Sequence, residues 1–280
     1  MRVPRFFARG RDLDSLRKLH STDGKSGTQI QLAEEDLIKQ LRVVLRLQPG
    51  NRLLILDDNA TIYELEILRL EKGSADCIFC SATPGQKPWQ QVVQIGLALI
   101  KADRFEWCIE KLCEVGVTKI APLSTRNCVV KLNDSKDAKG ETWLDAKQLR
   151  WQSIVREASE QCERATLPEV LKPQEFEKFL CNAYESPTKD LRFICAERSE
   201  TAPLVTALND QICKSGSTGI SGINSISLLV GPEGGFTENE LSSAQEQGWL
   251  PVTLGPRILR SETAAIVAMA QVASVLDIAK

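Results

Sequence analysis

The sequence predicts an α/β protein of two domains, in which a small β-barrel precedes a parallel sheet with helices on both faces. Short strand-like segments separated by turn residues fill roughly the first 80 residues. Strand and helix patterns alternate after that, and residues 83–88 between the two regions are rich in turn residues and lack periodicity. A length of 280 residues suits two domains at about 150 residues each. We therefore expect domains at 1–82 and 83–280.

The composition is that of an ordinary globular protein, with 42% hydrophobic and 26% charged residues, which excludes the collagen-like, disordered and coiled-coil classes. The formal net charge of −2 argues against a protein that coats nucleic acid indiscriminately. Nine cysteines, an odd number, and a start without a basic and then apolar leader favour a reduced, cytoplasmic protein. No apolar run approaches the roughly 20 residues of a membrane span, so no membrane partner is expected.

The first domain is predicted to be β-rich. Residues 52–57, 62–70 and 75–81 have strand composition and are separated by turn residues. One helix is expected at 34–45, where Leu37, Ile38 and Leu41 recur at helical spacing. Short strands at this pitch are typical of a small barrel.

The second domain is predicted to begin with a strand covered on both faces, because residues 92–100 form a continuous apolar run. A helix follows, with Asp103 as its N-cap, Glu106 three residues later and Gly116 as its stop. Further strands are expected at 120–124, 192–196, 226–230 and 252–254, and further helices at 143–161, 203–214, 238–247 and 264–278. Parallel sheets of this kind bind ligands at the carboxyl ends of their strands.

The residues most often used for metal binding or base catalysis are scarce. Cys77 and Cys80 form a single CxxC, which is either half of a metal or redox site or a pair of small hydrophobes in a buried strand. No second CxxC exists, and His20 is the single histidine, so no metal site is predicted and the strand interpretation is favoured. His20 is expected in a solvated loop, and residues 215–224 in a flexible surface loop without a chemical role.

A glycine-rich segment follows the strand expected at 226–230. Residues 231–236 read Gly-Pro-Glu-Gly-Gly-Phe, a composition that lets main-chain amides approach a ligand closely. Thr237 and Glu240 then form a capping box that opens a helix. The segment matches neither the dinucleotide nor the nucleoside-triphosphate fingerprint, and a plain tight turn remains the alternative.

A second segment, residues 254–264, joins a strand to the apolar C-terminal helix. Ser261 can cap that helix, so that its free amides and dipole would favour a carboxylate or phosphate in the loop. Arg257, Arg260 and Glu262 exceed what capping requires. A surface ion pair between Arg260 and Glu262 is the alternative.

At these residues the sequence resembles a known family. Residues 229–236, reading LVGPEGGF, and 254–264, reading LGPRILRSETA, closely resemble the ribosomal RNA small subunit methyltransferase E family. Residues 1–7, 44–46 and 110–117 also follow that family's pattern, and so do Trp151, residues 160–162, Arg164 and Pro168. The sequence departs from the pattern at Gln40, where a histidine is common, and in its longer 215–224 segment.

The resemblance implies an N-terminal PUA-like β-barrel that grips RNA and a C-terminal trefoil-knotted SPOUT domain that binds S-adenosylmethionine and forms a homodimer. It also implies methylation of N3 of a uridine in 16S ribosomal RNA of the small ribosomal subunit. The implied cofactor-binding residues are Val230, Gly231, Pro232, Gly235, Leu254, Gly255, Ile258, Leu259 and Thr263.

Methyl transfer to N3 requires loss of its proton, so a carboxylate, Glu262 or Glu233, is the candidate base, and Arg260 would stabilise the developing negative charge. We expect these three residues at adjacent strand ends. Phosphate contacts are expected from six arginines, namely Arg2, Arg5, Arg9, Arg46, Arg126 and Arg164. Two alternatives stay open: a non-catalytic RNA-binding protein, and a SPOUT methyltransferase that modifies another nucleotide.

Overall fold

The computed structural model describes residues 3–21, 26–57, 59–87, 89–132, 142–182, 189–196, 201–214 and 219–278. They form two compact units, the first with Met1–Lys87 and Ser159–Leu167, the second with Pro88–Ala158 and Pro168–Lys280. The division falls after Lys87, beyond the expected residue 82, because a strand of the first unit continues to Pro84. That a later segment returns to the first unit was not predicted.

The first unit contains a five-stranded sheet. Its strands are β1 (Arg5–Phe7), β2 (Gln29–Leu32), β3 (Arg52–Leu56), β4 (Thr61–Leu70) and β5 (Ala75–Pro84), in the order β1-β3-β4-β5-β2. All pairings are antiparallel apart from β1 with β3. The three strands predicted from the sequence are present, whereas β1 and β2 are too short to produce a periodic signal.

Two helical segments accompany this sheet, α1 (Gly10–Ser21) and α2 (Glu35–Lys39), and α2 continues as a π-helical turn over Gln40–Val44. The second agrees with the helix predicted at 34–45. The first was missed, so the expectation of a loop around His20 was wrong. His20 lies exposed in the last turn of α1, with its ring centroid 6.0 Å from that of Tyr63.

The core of the first unit is closed in part by the returning segment. The Oε1 atom of Glu160 accepts a hydrogen bond from the amide of Phe7 at 3.0 Å, and Ala165 packs with Phe7 and Leu56. Cys77 is buried in β5, and burial raises the pKa of its thiol to about 12. Such a thiol stays neutral and packs as a small hydrophobe, as predicted.

The second unit contains a parallel sheet. Its strands are β6 (Val92–Ala98), β7 (Lys119–Ser124), β8 (Glu169–Val170), β9 (Gln174–Glu175), β10 (Asp190–Cys195), β11 (Ser225–Val230) and β12 (Leu250–Val252). The order is β12-β10-β11-β6-β7-β8, with β9 also paired to β7, and all these pairings are parallel. All five strands predicted for this region are present, with shifted ends. The strands β8 and β9 have two residues each and could not be predicted by pattern.

Helices cover both faces of this sheet, as predicted. The helices of the unit are α3 (Ala102–Val115), α4 (Trp143–Gln161), α5 (Phe176–Asn182), α6 (Leu204–Lys214), α7 (Glu238–Glu246) and α8 (Ser261–Ile278). Alternate strand residues feed two cores: Leu228 packs in the core that contains residues of α3, α6 and α8, whereas Leu229 packs in the core that contains residues of α5 and α7. The parallel α/β architecture therefore agrees with the sequence.

The ends of α3 test the capping prediction. Gly116 is the left-handed C-cap with φ of +105°, as predicted, and the Trp89 ring lies where a Cβ would project. The start was predicted wrongly, because Lys101 is the N-cap and makes no side-chain cap hydrogen bond. The capping box from Asp103 to Glu106 is therefore not what starts this helix.

Helix α8 is long and apolar enough, by length and composition alone, to cross a membrane. The sequence analysis described it as the apolar C-terminal helix and expected no membrane span. Its inward face, which includes Ala265, Met269 and Val272, is buried in the same core as residues of α3. Burial in a protein core requires the same apolar composition, so this packing accounts for the sequence of α8.

Candidate functional site

The two segments singled out in the sequence lie at the same edge of the parallel sheet. The glycine-rich loop, residues 231–236, follows β11, and the second loop, residues 253–260, follows β12. Because β10 lies between these two strands, the expectation that the predicted acids and arginine occupy adjacent strand ends was wrong. The loops are nevertheless joined directly, since the Ser261 hydroxyl donates a hydrogen bond to the carbonyl oxygen of Gly231.

The glycine-rich loop makes a compact turn after the buried residue Val230. The amide of Gly235 donates to the carbonyl of Pro232 at 2.8 Å, and Gly235 has φ of +69°, a left-handed conformation that favours glycine. The ring of Phe236 lies 3.2 Å from the position that a Cβ of Gly231 would take. Pro232 is buried and Gly235 is exposed, so the turn presents main-chain groups to solvent.

The glycine-rich loop is anchored on two sides. Thr237 and Glu240 form the predicted capping box at the start of α7. The same Glu240 carboxylate accepts a hydrogen bond from the amide of Arg126 at 2.8 Å. Asn127 donates through Nδ2 to the carbonyl oxygens of Gly234 and Gly235, at 3.2 Å and 3.0 Å. The turn after β7 thus holds the path of the loop, a contribution of Asn127 that the sequence analysis missed.

The second loop is organised by its own side chains. The Thr253 hydroxyl donates to the carbonyl of Gly255 at 3.0 Å and accepts from its amide at 3.2 Å. Gly255 has φ of +128°, and a Cβ there would meet open space. Leu254 and Leu259 pack against the core, whereas Ile258 is 74% exposed. Thr263 is also exposed, one residue beyond Glu262 in α8.

Ser261 was predicted to cap α8, and this was wrong. It is the first residue of the helix, and its hydroxyl is bonded to Gly231 in the other loop. The hydroxyl therefore links the two loops instead of satisfying an amide of its own helix. The amide of Ala264 donates to the carbonyl of Arg260 at 2.7 Å, which is an ordinary first-turn bond.

The three predicted catalytic residues have different environments. Glu262 is 7% exposed, and its Oε2 atom is buried without a hydrogen-bond partner. Glu233 is exposed, with Oε1 3.7 Å from Nη1 of Arg104 at the start of α3. Arg260 is exposed. Among the described residues no ion pair joins Arg260 to Glu262, so the alternative of a surface pair does not apply.

Three features of the two loops bear on the cofactor site that the family resemblance implies. An unpaired buried carboxylate oxygen is costly, and a ligand N–H or O–H group would satisfy the one on Glu262. Open space faces both left-handed glycines, Gly235 and Gly255, so main-chain groups there are accessible. Val230 is buried and Leu254 and Leu259 are half-buried, so the surroundings of the two loops are apolar.

The predicted phosphate-binding arginines differ in availability. Arg5 is engaged in its own unit, where its guanidinium bonds the carbonyl and the carboxylate of Glu163 at 3.1 Å and 2.9 Å. Arg9, Arg46 and Arg126 are exposed, and Arg164 is half-buried. Arg2 lies outside the described residues. Geometry thus favours Arg9, Arg46 and Arg126 over Arg5 as free surface cations.

A cavity of about 710 Å³ lies beside the glycine-rich loop, where the carboxyl end of β7 meets the first turn of α7. Arg126 and Lys131 contribute to its wall, together with Glu175 at the end of β9 and Glu177 in the first turn of α5. The loops that carry the predicted cofactor residues do not line it. The sequence signal for it was Arg126, one of the arginines expected to contact phosphate, which lies just beyond the strand expected at 120–124.

Comparisons with known proteins point to one family. Residues 87–273 match the family model of the RNA methyltransferase domain. The chain is 34% identical over 237 residues to a ribosomal RNA small subunit methyltransferase E from Synechocystis sp., which covers 85% of this chain and 70% of that relative. It is 30% identical to the protein of the same name from Bacillus subtilis, over 82% of this chain and 84% of the relative.

Solved structures agree with the sequence comparison. A ribosomal RNA small subunit methyltransferase E from Neisseria gonorrhoeae, bound to S-adenosyl methionine, superposes with a TM-score of 0.78 at 25% identity and covers 98% of each chain. A methyltransferase from Legionella pneumophila, in complex with the same cofactor, gives a TM-score of 0.76 at 26% identity and covers 100% of this chain and 98% of the other.

Proposed function

We propose, on the premise that this chain belongs to the ribosomal RNA small subunit methyltransferase E family, that it methylates N3 of one uridine in 16S ribosomal RNA with S-adenosylmethionine as the methyl donor. Family membership and the cofactor-bound structures support the enzyme class and the cofactor. The choice of N3 of uridine is our inference. It follows from the resemblance to that family, and the unpartnered buried oxygen of Glu262 beside the two loops supports the presence of the proton acceptor that this reaction needs.

The two loops are where we place the cofactor. We assign the adenosine to main-chain groups and apolar side chains of Val230, Gly231, Leu254, Gly255 and Leu259, in the manner of a pre-formed cleft. The remaining predicted contacts, Pro232, Gly235, Ile258 and Thr263, belong to the same two loops and the first turn of α8. Bound there, the cofactor supplies an electrophilic methyl carbon on a sulfonium.

The residues of the chain then accept one proton and stabilise one developing negative charge. The N3–H bond of uridine breaks and its proton passes to a carboxylate, while N3 forms a bond to the methyl carbon and the carbon–sulfur bond breaks, which leaves a neutral thioether. Glu233 is exposed and can meet a nucleobase from solvent. Glu262 is buried and has a free oxygen. Both remain candidates for the acceptor, and Arg260 is the candidate that stabilises negative charge on O2 and O4 of the base.

We also propose that the second unit dimerises through α8. The half-buried and exposed residues of this helix include Val267, Ala270 and Ile278, and the first charge after Glu262 along the helix is Asp277. Gln271 belongs to the same face, and its Oε1 atom is buried without a partner. A helix side that carries no charge between Glu262 and Asp277 suits the core of a subunit interface, where charged residues are depleted. The trefoil knot, the PUA-like barrel and the cytoplasmic location are further parts of this proposal.

RNA would be held by local positive charge, because the net charge of the chain is −2. Arg9 and Arg46 are the exposed arginines of the first unit that we assign to phosphate contacts. Arg46 follows Val44 and Leu45, which are 68% and 42% exposed, and has a positive φ of 52°. These features support an RNA-contact role for this turn.

The experiment that tests the proposal has two parts. Nucleosides of ribosomal RNA from a strain without this gene are mapped by mass spectrometry, and loss of 3-methyluridine alone is expected. Loss of a different methylated nucleoside would show another target, and no loss combined with no saturable uptake of S-adenosylmethionine in calorimetry would show a non-catalytic RNA-binding protein.

The acid roles are separated by single-turnover rates with cofactor bound. Glu233→Gln and Glu262→Gln remove the proton-accepting charge with little change in shape. The variant that lowers the rate by about 100-fold or more identifies the acceptor. Near-normal rates in both variants would exclude both residues.

A further inference from the structure

The cavity beside the glycine-rich loop is not accounted for by cofactor binding. Its volume of about 710 Å³ lies within the range of roughly 300–1,000 Å³ typical of small-molecule sites and is large enough for a nucleotide. It is lined by residues of one unit only. It opens at the carboxyl end of β7, at the same edge of the sheet as the two cofactor loops.

The cations on the cavity wall suit a phosphate. The side chain of Arg126 is exposed, while its backbone amide is bonded to Glu240. The Lys131 ammonium group is fixed beside it, because it donates to the carbonyls of Thr125 and Arg126 at 3.3 Å and 3.0 Å. Glu240 itself accepts bonds from Thr237 and from the Arg126 amide, so its negative charge is already engaged. A phosphate next to Arg126 and Lys131 would face two positive charges.

The remaining polar groups suit a nucleobase. Glu175 and Glu177 are exposed carboxylates on the wall, and carboxylates accept hydrogen bonds from N–H groups on base edges. Phe176 lies between them in the sequence and is only 2% exposed. A ligand that carries both an anionic group and N–H donors therefore matches the lining better than a simple anion or a simple cation does.

The wall of this cavity is continuous with the cofactor loops. The ring of Phe176 lies 5.3 Å, centroid to centroid, from the ring of Phe236 in the glycine-rich loop, and that ring packs on Gly231. Asn127, which follows Arg126, bonds the carbonyls of the same loop. A nucleotide in the cavity would thus sit next to the proposed site of methyl transfer.

We propose that this cavity is a second nucleotide subsite, which binds an RNA nucleotide neighbouring the methylated one. Its phosphate lies against Arg126 and Lys131, and the N–H groups of its base face Glu175 and Glu177. The inference rests on the proposed function and adds a specificity-determining contact to it. Recognition of this neighbour would let the enzyme choose one uridine among many.

The test uses the full-length chain with Arg126→Glu and, as a matched control, Lys178→Glu, an exposed charge reversal on α5 outside the cavity lining. The substrate is the small ribosomal subunit from a strain that lacks this gene. Arg126→Glu should raise KM for the subunits about tenfold, with kcat changed less than twofold. It should also reduce the magnitude of the negative slope of log binding constant against log salt by about one. Lys178→Glu should change neither.

Several outcomes overturn the proposal. An unchanged KM and salt slope in Arg126→Glu would remove the phosphate contact. A weaker affinity for S-adenosylmethionine, measured by calorimetry, would assign the cavity to the cofactor. Because the backbone amide of Arg126 makes its bond to Glu240 in any variant, folding should be retained. The second variant, Lys131→Gln, should also raise KM, and a normal KM in it contradicts the subsite.

Failure of the proposed function is distinguishable from failure of this inference. If the wild-type enzyme methylates no uridine N3, the proposed reaction is refuted. Filter binding of the same subunits by wild type and Arg126→Glu still measures the phosphate contact. Equal binding by both proteins would then refute the subsite independently of methylation.

Discussion

Replacement of Glu240 by alanine should destabilise the second unit more than its position in a surface helix suggests. Glu240 is only 6% exposed, and its carboxylate accepts three hydrogen bonds. Two come from the amide and hydroxyl of Thr237, at 2.8 Å and 2.9 Å, and one comes from the amide of Arg126 at 2.8 Å. The substitution removes the acceptor from all three donors at once.

The magnitude follows from these contacts. Hydrogen bonds to a charged group contribute about 1.5–3 kcal/mol each, but bonds that share one carboxylate are not additive. We therefore expect Glu240→Ala to lower the free energy of unfolding by about 3 kcal/mol. For a unit of this size, that corresponds to a fall in Tm of roughly 6–12 °C. Glu240→Gln keeps one acceptor oxygen, so its Tm should lie between those of wild type and Glu240→Ala.

Differential scanning calorimetry measures the effect, with Glu238→Ala as the control. Glu238 is an exposed acid in the same turn of α7, so it shares the charge effect of the helix N-terminus but not the buried hydrogen bonds. Equal losses of Tm in the two alanine variants would refute the argument from hydrogen bonding. Calorimetric titration of Glu240→Ala should also show weaker S-adenosylmethionine binding, because the glycine-rich loop leads into this helix.

Three further predictions concern the two units separately. Gly116→Ala should lower the free energy of unfolding by more than about 1 kcal/mol, because φ is +105° and the Trp89 ring occupies the Cβ position. A free energy of unfolding equal to that of wild type in urea denaturation would contradict this. The Tyr63 hydroxyl donates a hydrogen bond to Asp57 at 3.2 Å, and burial raises the pKa of Tyr63 from 10.0 to about 12. The difference in stability between wild type and Tyr63→Phe should therefore be complete below pH 10 and lost as the pH rises through about 12. A difference independent of pH in urea titrations would show that the hydroxyl is not responsible. Arg9→Glu should weaken RNA binding and reduce its salt slope by about one in filter binding, with cofactor affinity unchanged, and an unaltered slope would exclude this arginine.

Local patterns in the sequence were enough to predict the framework of the second unit. The capping box of Thr237 and Glu240 and the glycine stop at Gly116 were both found as expected, because each depends on residues within one turn of each other. The apolar runs that become β6 and β11 were equally clear, since strands covered on both faces carry no alternation.

Contacts between distant segments could not be predicted in the same way. Ser261 has the sequence position of a helix cap, yet its hydroxyl bonds Gly231, 30 residues earlier. Asn127 holds the glycine-rich loop from more than 100 residues away. The order of strands, which separates β11 from β12 by β10, also depends on tertiary packing. In the first unit, α1 was missed because Leu13 and Leu16 alone give too weak a periodic signal.

The segment Ser159–Leu167 determines when the first unit can complete its folding. During synthesis residues 1–87 leave the ribosome well before their partners in this segment. The hydrogen bond from the Phe7 amide to Glu160 and the ion pair between Arg5 and Glu163 therefore form only after those later residues have emerged. The first unit can therefore reach its final packing only after about two fifths of the second unit, Pro88–Ala158, has also emerged. An excised fragment that ends at Lys87 should bind the fluorescent dye ANS, because the apolar surface that Ala165 covers would be open to water.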